Sequence, residues 1–336
     1  MKNTRPSTLA RASLLALGLG FASALCAQSS IITTTADYSA LDVTPTLSLV
    51  NGGFTVYDQE LHHWNGDEYE IRTADGTDTV LATYTPDIPI ASNGFGDAFG
   101  LYDPDNDIFY VGTYDWSGSG LYSYDAGTDT WTDLGVFDSL YAGAVHDGDV
   151  YVSGLNAIWT GGVGQDNQIA LYDLTGAGNH DVLIQATGNS ASVAVDSNGD
   201  VYYASYEPSG SSRIYKWTKA QIDSVRADQP GGGTAGGGAG DKYLTYADAT
   251  VLAPLPSGTG ANGIAVDEDF NVFVTYNGSS SGLLVWKSAS ATTEVIGTFT
   301  FWGGYISTYG DFFDGGAVYV NSYGSGIAEV TYTPVP

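Results

Sequence analysis

The chain has 336 residues, with 45 Gly, 24 Tyr and one Cys, and its 38 acids against 10 basic residues give a formal charge of −28. A field of that sign repels phosphate backbones and anionic lipid, which excludes nucleic acid and the membrane surface as partners. Abundant Gly and Tyr with few Lys argue against a helical protein and for sheet punctuated by tight turns.

Residues 1–27 read as a secretory signal peptide. Lys2, Arg5 and Arg11 form a basic front, Leu14–Leu25 an apolar core, and Leu25-Cys26-Ala27 a cleavage site before Gln28. The apolar run is too short to span a bilayer. Leu25 stands where a lipidated Cys needs a small neighbour, which weighs against a lipoprotein. With Cys26 removed, the exported chain has no disulfides, so its stability rests on burial and sheet closure. Loss of Lys2, Arg5 and Arg11 leaves seven basic residues against thirty-eight acids, a formal charge of −31. Residues 28–39 read as a flexible lead, and Ala40–Val50 has strand character without a sheet of its own.

From Gly53 onward one pattern recurs. A small or apolar run leads to an Asp, a polar turn follows, and an apolar-aromatic strand comes next. NGIAVDEDFNVFVTY (Asn262–Tyr276) is its clearest copy. The anchoring acids are Asp58, Asp103, Asp147, Asp196, Asp267 and Asp314, spaced 45, 44, 49, 71 and 47 residues apart. A period in the forties with several short strands per unit predicts a β-propeller, here all-β and six-bladed, in a single domain over 40–336. The first blade is expected to hold Phe54–Tyr57, Glu60–Trp64, Tyr69–Thr73 and Thr79–Tyr84, with hairpin turns between them. The sixth offers only three strands, near Gly310–Phe313, Ala317–Tyr323 and Gly326–Tyr332. Ala40–Val50 is then expected to close the ring as its fourth, outer strand.

The 71-residue interval is one blade plus an insertion over 218–248. Thr218 and Gln221 fit a capping box, and Ile222 and Val225 follow at helical spacing, so Lys219–Ala227 is predicted to be a short helix. The Gly-rich run Gly231–Gly240 follows as a flexible loop. Arg213, Lys216, Lys219, Arg226 and Lys242 cluster in or beside this segment, which reads as a solvated decoration of the rim.

The runs NGIAVDEDFNVFVTY and ASVAVDSNGDVYYASY (Ala191–Tyr206) resemble the repeats of NHL-repeat and gluconolactonase-like six-bladed propellers, and the likeness extends over Gly53–Tyr323. That resemblance implies an axial site of Glu, Asn and Asp around a divalent cation. Only Asn262 matches such a position cleanly, with Asp97 and Asp311 as near neighbours in the pattern. The tail, Thr331-Tyr332-Thr333-Pro334-Val335-Pro336, resembles the run-up to the sorting signal of bacterial PEP-CTERM surface proteins. The second Glu-Pro, the membrane helix and the terminal Arg cluster are absent, so the likeness implies a chain ended before its sorting tail.

Three turns open like calcium loops: Asp103-Pro-Asp105-Asn106-Asp107, Asp196-Ser-Asn198-Gly-Asp200 and Asp267-Glu-Asp269-Phe-Asn271. None has a Glu at the twelfth position, and all fall in the turn where Asp and Asn cap backbone donors, so they read as turns. His62 and His63 alternate across one strand and cannot share a metal; His146 reads as a packed core residue. Ligand candidates for the axial channel are Asp97, Tyr141, Asn262, Tyr305, Tyr309 and Asp311, the tyrosines as stacking surfaces for a sugar. The leading expectation is a non-enzymatic, exported propeller of a Gram-negative cell surface or matrix that binds a glycan or surface protein. The alternative is a calcium-dependent hydrolase or lactonase with Asn262, Asp97 and Asp311 around Ca2+.

Overall fold

Burial in the strands alternates or runs continuously in short stretches, as expected where each sheet packs between two neighbours. The computed structural model describes residues 29–44, 53–90, 97–113, 119–137, 140–155, 166–172, 180–188, 191–206, 212–227, 243–322 and 324–334. Among these the strands form six antiparallel sheets, five of four strands and one of five. Residues 1–27, expected as a signal peptide, residues 45–50 and the Gly-rich run lie outside the described residues.

The first strands of the six blades are Phe54–Tyr57, Asp97–Asp103, Leu140–His146, Val193–Val195, Thr259–Val266 and Gly303–Tyr309. Each contacts the first strands of the blades before and after it, the sixth touching the first. Six apolar clusters fill the six junctions, one between each neighbouring pair of blades. Trp64 and Tyr69 of blade one meet Phe109, Tyr124 and Trp131 of blade two. Phe54, Val56 and Leu61 meet Ala317, Tyr319 and Ile327 where the last blade returns to the first. The expected six-bladed, all-β fold is the fold observed.

Closure comes from the front of the chain, as anticipated, but further forward. Tyr38–Asp42 pairs antiparallel with Ile327–Tyr332, Ala40 opposite Val330, and completes blade six. The remainder of the expected strand is not in this sheet pairing: Val43 and Thr44 continue it by single bonds to Ile327, and 45–50 lie outside the described residues. The segment expected as a flexible lead is ordered as well. Ile32–Thr34 adds a fifth strand to blade five along Thr292–Phe299. Ile31 and Ile32 are buried against Phe299 and Ile296, which is why the short apolar pair in a polar stretch docks.

Blade six departs from the expected register. Its first strand is Gly303–Tyr309, and the residues expected to form it, Gly310–Phe313, make a turn and enter the short 3-10 helix Phe312–Asp314. Asp311 caps that helix, accepting from the Phe313 N–H at 3.0 Å. A longer loop in this copy shifted the Asp away from its usual distance after the strand.

The helix forms over Lys219–Ala227, with the Gln221 side chain accepting from the Thr218 N–H at 2.8 Å. It is no mere decoration, because Ile222 and Val225 are buried between blades three and four. After the insertion, Leu244 exchanges backbone bonds with Leu183 and Gln185 on the outer strand of blade three. The fourth strand of blade four, Thr250–Pro254, follows. The basic residues here face carboxylates: Lys216 meets Asp200 at 2.7 Å and Arg226 meets Asp149 at 2.8 Å.

The fifth strand of blade five generates a prediction. Ile32→Ala should cost about 3 kcal/mol, as for a fully buried aliphatic truncation, measured as a lower midpoint in guanidinium unfolding. A loss within about 0.5 kcal/mol, the range of ordinary surface changes, would mean the strand is not docked in solution.

Candidate functional site

Adjacent strands alternate in direction, so each ring end gathers a fixed set of connections. First strands begin at one end, here the entry end, where second strands also turn into third. First strands finish at the other, the turn end, where the anchoring acids sit.

Around the axis the first strands approach closely. A side chain on Gly53 would meet the Phe99 backbone at 2.9 Å, and one on Gly263 the Gly304 carbonyl at 2.7 Å. The space between them is an axial cavity of about 40 Å³ lined from all six blades, by Phe54, Phe99, Ala142, Ser192, Ile264 and Tyr305 among others. It has room for a few water molecules, and polar and apolar atoms share its lining about equally. Tyr305 of blade six reaches across to the opposite blade, its hydroxyl donating to the Tyr141 carbonyl at 3.1 Å. Their rings lie 6.5 Å apart.

The sequence candidates separate on this frame. Tyr141 and Tyr305 come together at the axis. Asn262 lies beside it, but its side-chain amide donates to the Gly303 carbonyl at 2.9 Å, and its backbone carbonyl accepts from the Ser192 hydroxyl. Asp97 opens the first strand of blade two opposite Thr113; its side chain lies outside the described ones. Asp311 is at the turn end, beside the Asp267 turn, where the Phe312 N–H donates to Asp267 at 3.3 Å. At about 3.3 Å of rise per residue, five residues of strand put that turn about 16 Å from Asn262. Asn262 and Asp311 therefore cannot share a cation. Tyr309 ends its strand at the same far end, 40% exposed. The slipped register of blade six explains both misplacements, since counting back from Asp314 selects Tyr309 where Tyr305 and Ile306 face the axis.

The three calcium-like turns are closed on themselves. Asp103, Asp196 and Asp267 are buried, and each caps its own turn. Asp196 accepts from the N–H groups of Asn198 and Asp200 and from the Tyr202 hydroxyl. Asp267 accepts from Asp269 and Asn271, and burial raises its pKa against those hydrogen bonds. On the exposed side of the same turn, the pKa of Asp269 is raised by the neighbouring Asp311 carboxylate. Among the described residues no three His, Cys, Asp or Glu side chains gather as a metal-ligand group.

His62 and His63 are both buried in blade one. His62 stacks on Tyr102 at 3.8 Å, and its Nδ1 meets the Tyr69 hydroxyl at 2.6 Å. Burial, aided by the charge of His63, lowers its pKa to about 4. His63 points to the other face, 3.4 Å from Glu70, whose carboxyl is held down to about 2 by His63, Asn65 and Arg72 against burial. His146 is only half-buried, set against Gly199 of the next blade and not in a core cluster. The side chain of His180 lies outside the described ones.

One feature of the entry end escaped the sequence reading. Phe301 and Trp302, on the connection from blade five to blade six, are 54% and 56% exposed and stack on each other 5.5 Å apart at 11°. The available signal was two large aromatics before Gly303-Gly304 in a stretch without charge.

No protein-family model matches the chain, and no curated protein matches it. Solved structures do. An aldose sugar dehydrogenase from Streptomyces coelicolor, in its PQQ-bound form, is similar at 14% identity and a TM-score of 0.57, over 89% of this chain and 99% of that one. The calcium structure of a Trichoderma reesei carbohydrate-active enzyme of family AA12 is similar at 12% identity and a TM-score of 0.56, over 90% and 97%. A nidogen/laminin complex contains a chain similar at 10% identity and a TM-score of 0.55, over 82% and 99%. At these identities the likeness shows the propeller fold alone.

Two predictions follow from the geometry. Tyr305→Phe keeps the ring but removes the bond across the axis, and should cost about 1 kcal/mol in chemical unfolding. A cost near zero would show that the hydroxyl does not hold the opposite blade. His62 sets a pH dependence. Its folded pKa lies below the unfolded one, so between about pH 6.5 and 4 the unfolded chain binds a proton that the folded chain refuses. Stability is full above that window and falls by about 3 kcal/mol across it as acid is added. In His62→Gln that slope should flatten by a similar amount, read from unfolding midpoints at stepped pH; an unchanged slope would contradict it.

Proposed function

We propose that this protein is an exported, non-catalytic propeller that serves as a binding or structural module at the surface or in the matrix of a Gram-negative bacterium, taking a glycan or a protein as ligand. The basic front, apolar core and cysteine-free remainder of the chain support export. The NHL-like repeats and the tail similar to PEP-CTERM proteins support a surface setting.

The observation that carries the non-catalytic reading is the axis. Tyr305 closes it by binding the carbonyl of Tyr141 in the opposite blade, and the lining is glycine, alanine, serine and apolar side chains. Hydrolysis at such a position needs a Lewis acid or base held by several converging ligands. The Asn262 amide is engaged by Gly303, and Asp311 lies at the other end of the ring. The fold itself hosts both a sugar dehydrogenase and a chain of a nidogen/laminin complex, so it favours neither class. Sites, and not folds, carry function.

Calcium titration of thermal melting tests this reading. Wild type, Asn262→Ala, Asp105→Asn and Asp269→Asn should each gain a small, similar rise over their own calcium-free melting temperature, as diffuse attraction to an acidic surface produces. Lactones should not be turned over. If Asn262→Ala alone abolishes a saturable calcium response, and lactone hydrolysis disappears with it, the protein is an enzyme and the reading falls.

A further inference from the structure

We infer that the entry end of blades five and six binds a neutral glycan stacked on Phe301 and Trp302, a step that rests on the binding-module reading and names its ligand class. The two rings are more exposed than any other large apolar side chain among the described residues. Their near-parallel stack makes a flat aromatic step. The C–H face of a pyranose matches such a surface, while its hydroxyls need small donors and acceptors around the edge.

The step stands on rigid backbone. The Trp302 carbonyl accepts from the buried Ser322 hydroxyl at 2.8 Å. The Gly303 carbonyl accepts from both Asn262 and Asn277 at 2.9 Å, and the Gly303 N–H donates to Asn277 at 2.9 Å. On the other side the Thr300 N–H donates to Ile31. Gly303 lies so close over the Phe299 ring that a side chain there would collide. Rings held out from pinned backbone lose little freedom on binding, which favours affinity.

The surroundings select the ligand. Thr300, next to Phe301 in the chain, is exposed, as are Ser279 and Ser280 in the entry-end turn between the second and third strands of blade five, and a hydroxyl both donates and accepts. Charge is sparse: no Asp, Glu, Lys or Arg occurs within 272–286, 295–310 or 315–328, and the Asp42 carboxylate, at the end of the outer strand of blade six, is engaged by the hydroxyls of Ser29 and Ser30. The anchoring carboxylates collect at the opposite end, where a cationic polymer would be drawn, and the charge of −28 repels an anionic one. The two half-exposed rings offer roughly 200 Å². That suits a few sugar units better than a protein partner, whose interface needs about 800 Å² from each side.

Native affinity electrophoresis of the whole exported chain tests this. The gels would contain dextran, galactomannan, hydroxyethyl cellulose or xyloglucan as neutral probes, with alginate and chitosan as charged controls. Retardation by at least one neutral polymer is expected, weakened about tenfold or more in Trp302→Ala and in Phe301→Ala, partly restored in Trp302→Tyr, with melting temperatures unchanged. No retardation by any neutral polymer overturns the inference, as does preference for alginate or chitosan. Retardation equal in wild type and both alanine variants moves the sugar elsewhere and overturns this site, leaving the binding-module reading intact. Sedimentation that changes from dimer to monomer in Trp302→Ala makes the rings a contact between two copies and also overturns it. Lactone turnover together with Trp302-dependent retardation would sink the non-catalytic reading and spare the glycan site.

Discussion

Tyr38–Asp42 lies along Ile327–Tyr332, and this pairing of the front of the chain with its far end holds the ring shut. Each blade alone would leave an edge of unpaired backbone and one apolar face uncovered. Closure lets every blade bury both faces against neighbours, giving six apolar junctions instead of five. Ile32–Thr34 extends the same device to blade five, so the front of the chain touches the last two blades at once. Contacts separated by almost three hundred residues are costly to form in folding, and only the burial of whole sheet faces repays them.

The closed ring dictates what can happen at its centre. Six first strands brought to a common axis leave space for small residues or for one large side chain. Gly53, Ala142 and Gly263 provide the close approach, and Tyr305 takes the remaining room. A metal-holding axis would need several long polar side chains directed inward. This chain directs its carboxylates into the turns at one end, where Asp103, Asp196 and Asp267 are occupied by their own backbone. Electrostatics and apolar surface are thereby divided between the two ends. The buried turn acids lie at the turn end, while the entry end of blades five and six shows its aromatics and has the Asp42 carboxylate tied to Ser29 and Ser30.

That division also clarifies how one fold serves proteins as different as a sugar dehydrogenase and a chain of a nidogen/laminin complex. The blades are scaffolding whose packing tolerates great change in sequence, as the identities of 10–14% show. The connections at the entry end are free of that packing and can carry any chemistry. In this chain the connection from blade five to blade six is pinned by Asn262, Asn277 and Ser322. Asn262, which resembles a metal ligand by position, works here as a backbone clamp.

By itself the sequence determined the blades, because strand alternation, Asp-capped turns and helix caps are short-range and repeat at a regular interval. The six-fold ring, the helix Lys219–Ala227 and the closing role of the front were all legible on that basis. So was the turn role of Asp103, Asp196 and Asp267, whose turn-capping N–H partners lie within four residues. Where one copy lengthened its loop, at Gly310–Gly316, the interval misled: Tyr305, Tyr309 and Asp311 were all set at the axis, and of these three the structure puts Tyr305 alone there. Only the tertiary structure decided that Tyr305 meets Tyr141 across the ring, that Asn262 is spent on Gly303, and that Ile32 docks on blade five. Those contacts join residues tens to hundreds of positions apart, and their distances depend on the radius and closure of the whole ring, which no local pattern encodes.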